Sequence, residues 1–151
     1  MNKTIPAVLD DALGFNLDRV ASIYRQELMR ALADYDLTPE QWQIMALVWN
    51  SDAPLNQQEI TDLLAKDKPN ISRMIRRLEV KGWLERRPDP DDARAFHIHP
   101  TELGLERKDD VPKTLYAHFD ALEIGFNKEE EKQLVAMLQA LRRRLNRGRE
   151  P

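Results

Sequence analysis

The sequence predicts a mainly α-helical protein with one small β-hairpin, and three observations support this fold class. Apolar residues recur every three or four positions through most of the chain, which is the spacing of amphipathic helices. Two short helical segments follow each other closely over residues 56–80. Two strand-like segments then flank a turn that is rich in proline and aspartate at residues 88–92.

Length and composition favour one globular domain over residues 1–151. The chain is 42% hydrophobic and 32% charged, which is ordinary for a protein with a sizeable core. No apolar run approaches the roughly 18 residues of a transmembrane helix, and the N-terminus lacks the pattern of a secretory leader. The absence of cysteine excludes disulfides, thiolate metal sites and thiol redox switches. We therefore expect a cytoplasmic protein without a membrane partner.

The first predicted element is a long helix over residues 8–35. Its apolar positions recur every three or four residues and form a seam suited to packing against a partner helix. The seam comprises Leu9, Leu13, Leu17, Val20, Tyr24, Leu28, Ala31 and Tyr35. Gly14 weakens the first turns by about 1 kcal/mol relative to alanine.

Capping residues predict where the next three helices begin. Thr38 is followed by a proline and, three residues on, by Gln41, which together form a capping box. Asn56 and Glu59 form a second box that opens a short helix. Asp67 is the expected N-cap of the basic helix that follows after a turn of a few residues. Two short amphipathic helices joined by so tight a turn are typical of a helix-turn-helix.

The second of these helices has one apolar face and one basic face. The apolar stripe consists of Ile71, Met74, Ile75 and Leu78. The opposite face carries Asn70, Ser72, Arg73, Arg76 and Arg77. Residues 66–87 contain eight basic and three acidic residues, so their net charge is +5 in a chain whose formal charge is −3. A basic stripe on an otherwise acidic protein predicts a polyanionic partner that is met on one face.

A two-stranded ribbon is expected after the basic helix, which Gly82 should end as a C′ glycine. The predicted strands are residues 83–87 and 94–99. The arginines of this ribbon are Arg86, Arg87 and Arg94. An arginine at a hairpin tip can enter the minor groove of DNA. Asp92 is placed to hold the Arg94 side chain extended through a charge-assisted hydrogen bond.

The chain beyond Thr101 returns to helical spacing. One helix is predicted over residues 102–124, and Pro112 should kink or break it because proline removes a backbone donor. Asn127 is the expected N-cap of a last helix that ends in a basic run. The arginines at 142–144 are best explained as a solvated helix end, favoured by the C-terminal dipole, with contact to flanking DNA as the alternative.

The basic helix and the ribbon together predict DNA binding. Arginines on a helix in the major groove pair bidentately with guanine, while asparagine and serine reach adenine edges or phosphates. A solvated amphipathic helix and an ordinary surface hairpin are the simpler alternatives. The order of short helix, tight turn, basic helix and basic hairpin favours DNA binding over both.

This order of elements and several local motifs resemble the MarR family of winged helix-turn-helix transcriptional regulators. The matching segments are residues 70–73, 78–82, 84–94 (LERRPDPDDAR) and 101–104 (TELG). The similarity covers essentially the whole chain. It implies an obligate homodimer with interlocked dimerisation helices, residues 7–35 and 101–147, and a winged helix-turn-helix lobe, residues 36–100, in each subunit. It also implies a near-palindromic operator and, most often, a repressor that a small ligand releases.

The resemblance carries over to individual residues. Ser72 and Arg73 match recognition-helix positions, and Asp92 with Arg94 matches the pair at the tip of the wing. The full set of DNA-binding candidates is Pro69, Asn70, Ser72, Arg73, Arg76, Arg77, Arg87, Asp92 and Arg94.

Three prolines depart from the family pattern. Pro69 stands where the family often has a serine or threonine that can bind phosphate. Pro100 replaces the usual apolar residue before Thr101, and Pro112 lies in a helix that is more often unbroken. These departures bear on the phosphate contact and on the hinge between the lobes.

The resemblance also places a ligand pocket between the dimerisation helices and the DNA-binding lobe. The candidates for its lining are Tyr24, Trp42, Met45, Trp49 and His118, with plain core packing as the favoured alternative. The peroxide-sensing branch of the family is excluded because it works through a cysteine. His97 and His99 share one strand face and suit a metal with a third ligand. Solvent-facing histidines are the favoured interpretation, so we expect no metal and no other cofactor.

The leading hypothesis is a sequence-specific, dimeric DNA-binding regulator, with ligand-responsive repression as its expected mode. Its expected partners are double-stranded operator DNA, a second copy of the chain and a small-molecule effector, aromatic compounds included. The alternative is a winged-helix ligand-binding or protein-interaction module that does not read DNA, which the acidic sequence pI of about 5.7 motivates. An enzyme is not expected, because the sequence has no nucleophile–base pair, glycine-rich phosphate loop or metal-ligand spacing.

Overall fold

A computed structural model describes residues 4–147, which form eight α-helices and three short strands. The helices are Ala7–Asp10 (α1), Leu13–Ala31 (α2), Pro39–Asn50 (α3), Gln57–Leu64 (α4), Lys68–Val80 (α5), Glu102–Glu106 (α6), Asp110–Ala121 (α7) and Lys128–Leu145 (α8). The strands are Leu55–Asn56 (β1), Leu84–Pro88 (β2) and Phe96–Pro100 (β3). The mainly helical fold with a small β-wing is confirmed.

The chain divides into two compact units, residues 1–118 and residues 119–151. The first contains the predicted lobe, residues 36–100, and α8 lies in the second. The ends of the predicted single domain, residues 1–3 and 148–151, lie outside the described residues. The domain boundaries themselves stay a prediction.

The long N-terminal helix predicted over residues 8–35 is wrong at both ends. The helix is interrupted before α2 because Ala12 is extended, with ψ at 121°. The side-chain amide of Asn16 donates to the carbonyl oxygens of Asp10 and Ala12, at 2.6 and 3.0 Å, and so compensates for helical hydrogen bonds that the break removes. At the other end α2 stops at Ala31, and one 3₁₀ turn follows, Ala33–Tyr35.

The predicted helix starts are confirmed. Thr38 with Gln41 and Asn56 with Glu59 form capping boxes in which both reciprocal hydrogen bonds are present. The carboxylate of Asp67 accepts from the backbone N–H of Asn70 at the start of α5. Asn127 forms the same kind of box at the start of α8. Each such cap stabilises its helix by about 1 kcal/mol.

The core of the first unit is formed by α3, α4, α5 and the sheet, together with residues from the end of α2 and from α7. Ile71, Ile75 and Leu78 of α5 are completely buried, and Met74 packs partly against them. The predicted stripe is therefore the face by which α5 is anchored. The largest completely buried side chains beside these are Leu32, Ile44, Met45, Ile60 and Val111. Burial of each is worth roughly 1.5–3 kcal/mol.

The wing, which we define as β2, β3 and the loop 89–95 between them, belongs to a three-stranded antiparallel sheet. Its order is β1–β3–β2, with Arg86 opposite Ile98 and Leu55 also opposite Ile98. The wing strands start one and two residues later than predicted, and β1 was not predicted at all. A strand of two residues has no periodicity to detect, since its pairing with β3 spans about 40 positions of sequence.

The helix predicted over residues 102–124 is two helices, but Pro112 is not where it breaks. The break lies at residues 107–109, between α6 and α7, and Pro112 is the third residue of α7. In the first turn of a helix the backbone N–H groups have no helical acceptor, so a proline there costs little. Helix α7 ends at Ala121, before two residues with positive φ, Glu123 and Gly125.

Candidate nucleic-acid interface

Helices α4 and α5 form a helix-turn-helix joined by a turn of three residues. Ala65, the C-cap residue that follows α4, has left-handed backbone angles, φ 49° and ψ 43°. The amide of Lys66 then bonds back to the carbonyl of Thr61 at 3.3 Å. Asp67 caps α5, and Pro69 occupies its first turn, where the missing N–H is not needed. Pro69 is exposed at the N-terminal end of α5.

The side of α5 opposite the core carries its polar candidates. Arg73, Arg76 and Arg77 are exposed, while Asn70 and Ser72 are half-buried. A guanidinium nitrogen of Arg73 donates to the side-chain oxygen of Asn70 over 3.3 Å, which is a long hydrogen bond. The α5 candidates therefore lie together on one helix face, as the sequence predicts.

The structure separates the eight basic residues of segment 66–87 into two groups. Three are paired with carboxylates: Lys81 with Asp36 at 3.1 Å, Arg86 with Glu79 at 2.9 Å and Arg87 with Glu85 at 2.5 Å. The other five make no ion pair within residues 4–147, and we call them the basic face: Lys66, Lys68, Arg73, Arg76 and Arg77. Lys66 and Lys68 were not among the candidates, although the charge count already included them.

The tip of the wing is built by aspartates that accept backbone hydrogen bonds. One carboxylate oxygen of Asp89 accepts from the N–H groups of Asp91 and Asp92, at 2.7 and 2.9 Å. The Asp89 N–H in turn donates to the carbonyl of Ala95 at 2.9 Å. These bonds close the loop into a compact turn.

The role predicted for Asp92 is wrong in one detail. Its carboxylate accepts from the backbone N–H of Arg94 at 2.9 Å, and not from the guanidinium. An aspartate commonly accepts from the backbone N–H two residues further on, in an Asx turn. This bond does not require the long Arg94 side chain to be fixed in one conformation. The Arg94 side chain is exposed at the tip and has no hydrogen-bond or ion-pair partner among residues 4–147.

The carboxylate of Asp89 is predicted to keep the backbone of the wing tip ordered. The backbone N–H groups of Asp91 and Asp92, and then the nearby charge of His97, hold the pKa of Asp89 below its usual value of 3.8. Because its pKa is lower in the folded protein than in the unfolded chain, the ionised carboxyl stabilises the turn at pH values above the pKa of the unfolded chain. This stabilisation is lost as the pH falls through the pKa of the folded protein. We expect Asp89→Ala to speed amide hydrogen exchange of Asp91 and Asp92 at pH 7.

The matched control is Asp89→Asn, which keeps an acceptor oxygen and should leave amide exchange close to wild type. NMR exchange at pH 7 measures both variants. Unchanged exchange in Asp89→Ala would show that the carboxylate does not organise the tip.

The histidines are explained by contacts between protein groups. His97 Nδ1 lies 3.4 Å from a carboxylate oxygen of Asp89. Burial, followed by the charges of Arg87 and His97, lowers the pKa of His99 and so favours its neutral form. His118 Nε2 lies 2.9 Å from a carboxylate oxygen of Glu27. In the part of the chain that the structure describes, no three His, Cys, Asp or Glu side chains are grouped to hold a metal ion.

The five pocket candidates fall into two sets. Met45 is completely buried, and Trp49 is 5% exposed with its indole N–H donating to the carbonyl of Gly104 at 2.9 Å. Both belong to the core, which is the alternative that their helical spacing favoured. Trp42 is half-buried with its ring centroid 6.0 Å from that of Trp49, Tyr24 is 49% exposed, and His118 is half-buried. For these three residues, a place in the lining of a ligand pocket stays a prediction.

Two helices expose apolar faces. On α2 the exposed side chains are Leu13, Val20, Ile23, Tyr24 and Met29. On α8, described by itself, they are Leu134, Val135, Met137, Leu138 and Leu145. Apolar side chains at helical spacing that remain exposed are typical of surfaces that a partner covers. No helix among residues 4–147 is long and apolar enough to cross a membrane.

Comparisons with known proteins agree with this geometry. A family model described as the MarR family matches residues 37–96. The transcriptional regulator PecS of Dickeya dadantii is 25% identical over 135 residues, which cover 88% of this chain and 81% of PecS.

Two solved structures have the same fold. The transcriptional repressor CouR bound to a 23-mer DNA duplex is 25% identical, with a TM-score of 0.84 over 93% of this chain and 99% of that one. CouR from Rhodococcus jostii RHA1 bound to p-coumaroyl-CoA is also 25% identical, with a TM-score of 0.79 over 90% of this chain and 95% of that one.

Proposed function

Because this chain belongs to the MarR family of winged helix-turn-helix transcriptional regulators, we propose that it binds a near-palindromic operator as a homodimer and represses transcription until a small ligand releases it. The observation that carries this proposal is the basic face. Its five cations, which form no ion pair in the described part of the chain, lie on and next to one helix of a protein whose formal charge is −3, and Lys66 also interacts electrostatically with Glu40. Phosphate groups are the partners that such a face suits best.

We assign base recognition to the first half of α5. Arg73 is exposed and only weakly bonded, so it is available for a bidentate pair with guanine. Asn70 and Ser72 flank it on the same face and suit adenine edges or phosphates. Arg76 and Arg77 lie further along α5 and suit phosphates.

We assign minor-groove contact to the tip of the wing. The side chain of Arg94 is exposed, and Asp92 orients its backbone, so Asp92 acts by shaping the tip. Arg87 is paired with Glu85 on the surface, and an exposed pair of this kind is worth less than about 1 kcal/mol. A phosphate therefore competes easily for Arg87.

The dimer follows from the exposed apolar faces of α2 and α8. Each face is covered if two copies associate about a two-fold axis, which buries the same surface on both subunits. A two-fold dimer presents two α5 helices and therefore requires half-sites about 10 bp apart or a multiple of that.

The effector class is inferred from a structural relative. CouR binds p-coumaroyl-CoA, which makes an aromatic acyl thioester the first ligand class to test. Tyr24, Trp42 and His118 offer aromatic surface and a polar group for such a ligand. A cytoplasmic location and the absence of enzymatic activity belong to the same proposal, since the relatives compared are transcriptional regulators. These relatives are named as transcriptional regulators, which gives no support to the alternative of a ligand-binding or protein-interaction module without DNA recognition.

The test is selection of bound fragments from the organism's own genomic DNA, followed by fluorescence anisotropy titration of the recovered site. With 6–10 phosphate contacts we expect the affinity to fall by roughly 10³–10⁵ between 50 and 200 mM salt. A duplex with the same composition and a shuffled sequence is the control for specificity. Binding that ignores salt, or equal binding to the shuffled duplex, would refute the proposal.

A further inference from the structure

Lys81 belongs to the basic segment by sequence but not to the basic face. It directly follows α5, and its side chain is 27% exposed. The ammonium group donates to the backbone carbonyl of Asp36, forms an ion pair with the Asp36 carboxylate at 3.1 Å and lies 3.4 Å from the side-chain oxygen of Gln41. All of these acceptors belong to the segment that joins α2 to α3 or to the first turn of α3.

The segment between the helices, residues 32–38, is the α2–α3 junction. Asp36 has left-handed backbone angles there, φ 52° and ψ 39°, which aspartate adopts more readily than most residues other than glycine. Gln41 is 2% exposed, and its side-chain oxygen also accepts from the backbone N–H of Thr38 at 3.1 Å. Lys81 therefore contacts oxygens of the residue that ends the 3₁₀ turn and of the first turn of α3, within the connection from the N-terminal helix to the winged lobe.

We propose that Lys81 is a positioning residue for DNA recognition. It ties the C-terminal end of α5 to the α2–α3 junction, and so sets the angle between α5 and α2 without contacting DNA. This inference rests on the proposed function, in which α2 contributes to the dimer interface. In that dimer the angle between α5 and α2, which Lys81 fixes, sets the separation of the two α5 helices. This separation determines the preferred spacing of the half-sites.

The dimensions of α5 make this angle important. Its 13 residues span about 20 Å at 1.5 Å per residue. A rotation of roughly 10° about the Lys81 end would displace the DNA-reading end by about 3 Å, which is close to the 3.4 Å rise per base pair. The ion pair alone would not resist such a rotation, because the Asp36 carboxylate is 87% exposed. The carbonyl of Asp36 and the buried amide of Gln41 are the acceptors that hold the ammonium in place.

The experiment compares Lys81→Met, which keeps the length of the side chain but removes its donors, with Arg77→Met on the basic face. Affinity is measured by fluorescence anisotropy at several salt concentrations. The duplexes are the selected operator and two versions with the half-site spacing changed by one base pair in either direction.

We expect the two variants to differ in both readouts. Arg77→Met should reduce the slope of log K against log salt by about 0.9 for each phosphate that is no longer neutralised, hence about 1.8 per dimer. Lys81→Met should leave this slope unchanged and should reduce the preference for the native spacing by roughly two- to thirty-fold. Lys81→Arg, which keeps a cationic donor, should restore most of that preference.

Other outcomes would overturn the inference. A slope reduced as in Arg77→Met, with the spacing preference intact, would make Lys81 a phosphate contact. An affinity reduced equally for all three spacings, at unchanged slope, would make its role merely structural. Lys81→Gln serves for the same measurements if Lys81→Met does not fold. Wild-type protein that bound no duplex would refute the proposed function, and this inference with it.

Discussion

Replacing Arg73 with alanine is expected to reduce discrimination between the operator and a mutated operator by about 1–3 kcal/mol per half-site. Arg73 is exposed in the first half of α5, and the only hydrogen bond of its side chain within residues 4–147 is the long one to Asn70. A guanidinium can pair with both major-groove acceptors of guanine, O6 and N7, an arrangement that no other base presents. Anisotropy titrations with matched and single-substituted duplexes measure the loss.

Arg73→Lys separates recognition from charge. Lysine keeps the positive charge but not the planar fork of donors, so it should retain most of the salt dependence and still lose discrimination. A variant with lysine that discriminates as well as wild type would show that Arg73 contributes charge alone. Full discrimination by Arg73→Ala would remove Arg73 from base recognition altogether.

Replacing Gly104 with alanine is expected to destabilise the fold by about 3 kcal/mol or more. An added Cβ would lie 2.3 Å from the backbone oxygen of Trp83, a distance that real Cβ contacts do not reach. The backbone cannot easily shift, because the Gly104 carbonyl accepts from the Trp49 indole at 2.9 Å and its N–H donates to the Thr101 hydroxyl at 3.1 Å. Urea unfolding at fixed protein concentration measures the free energy of unfolding.

Gly14→Ala is the matched control for this substitution. A Cβ at Gly14 would meet nothing within 4 Å, and Gly14 lies in helix α2. The same chemical change should therefore stabilise the protein by up to about 1 kcal/mol. If Gly104→Ala were as stable as Gly14→Ala, the close approach of α6 to Trp83 would not be a constraint of the fold.

Features that depend on a few neighbouring residues could be predicted from the sequence. The capping boxes at Thr38, Asn56 and Asn127 need only four consecutive residues, and all three are present. Gly82 ends α5 with a positive φ of 77°, as a C′ glycine should. The amides of Gly82 and Trp83 bond back to Glu79 and Leu78, at 3.0 and 2.9 Å, which completes the predicted stop.

Features that depend on distant residues could not be predicted. The break between α6 and α7 lies at residues 107–109. Helix α6 itself is held by hydrogen bonds to distant residues, from the Trp49 indole to the Gly104 carbonyl and from the Thr101 hydroxyl to the Gly82 carbonyl. Pro112 alone predicted the break at the wrong position, because this proline lies in the first turn of α7. Strand β1 exists only because β3 is beside it.

The sequence by itself determined that this chain has a helix-turn-helix with a basic wing and a one-sided positive charge, because apolar periodicity, caps and charge order are local properties. Only the tertiary structure decided which of the cations form ion pairs with carboxylates. Lys81, Arg86 and Arg87 have the same charge as Arg73, but their carboxylate partners lie on the α2–α3 junction, on α5 and on β2. The physical reason is that an ion pair depends on distance in space, so a charge count along the chain cannot show which positive charges are already paired.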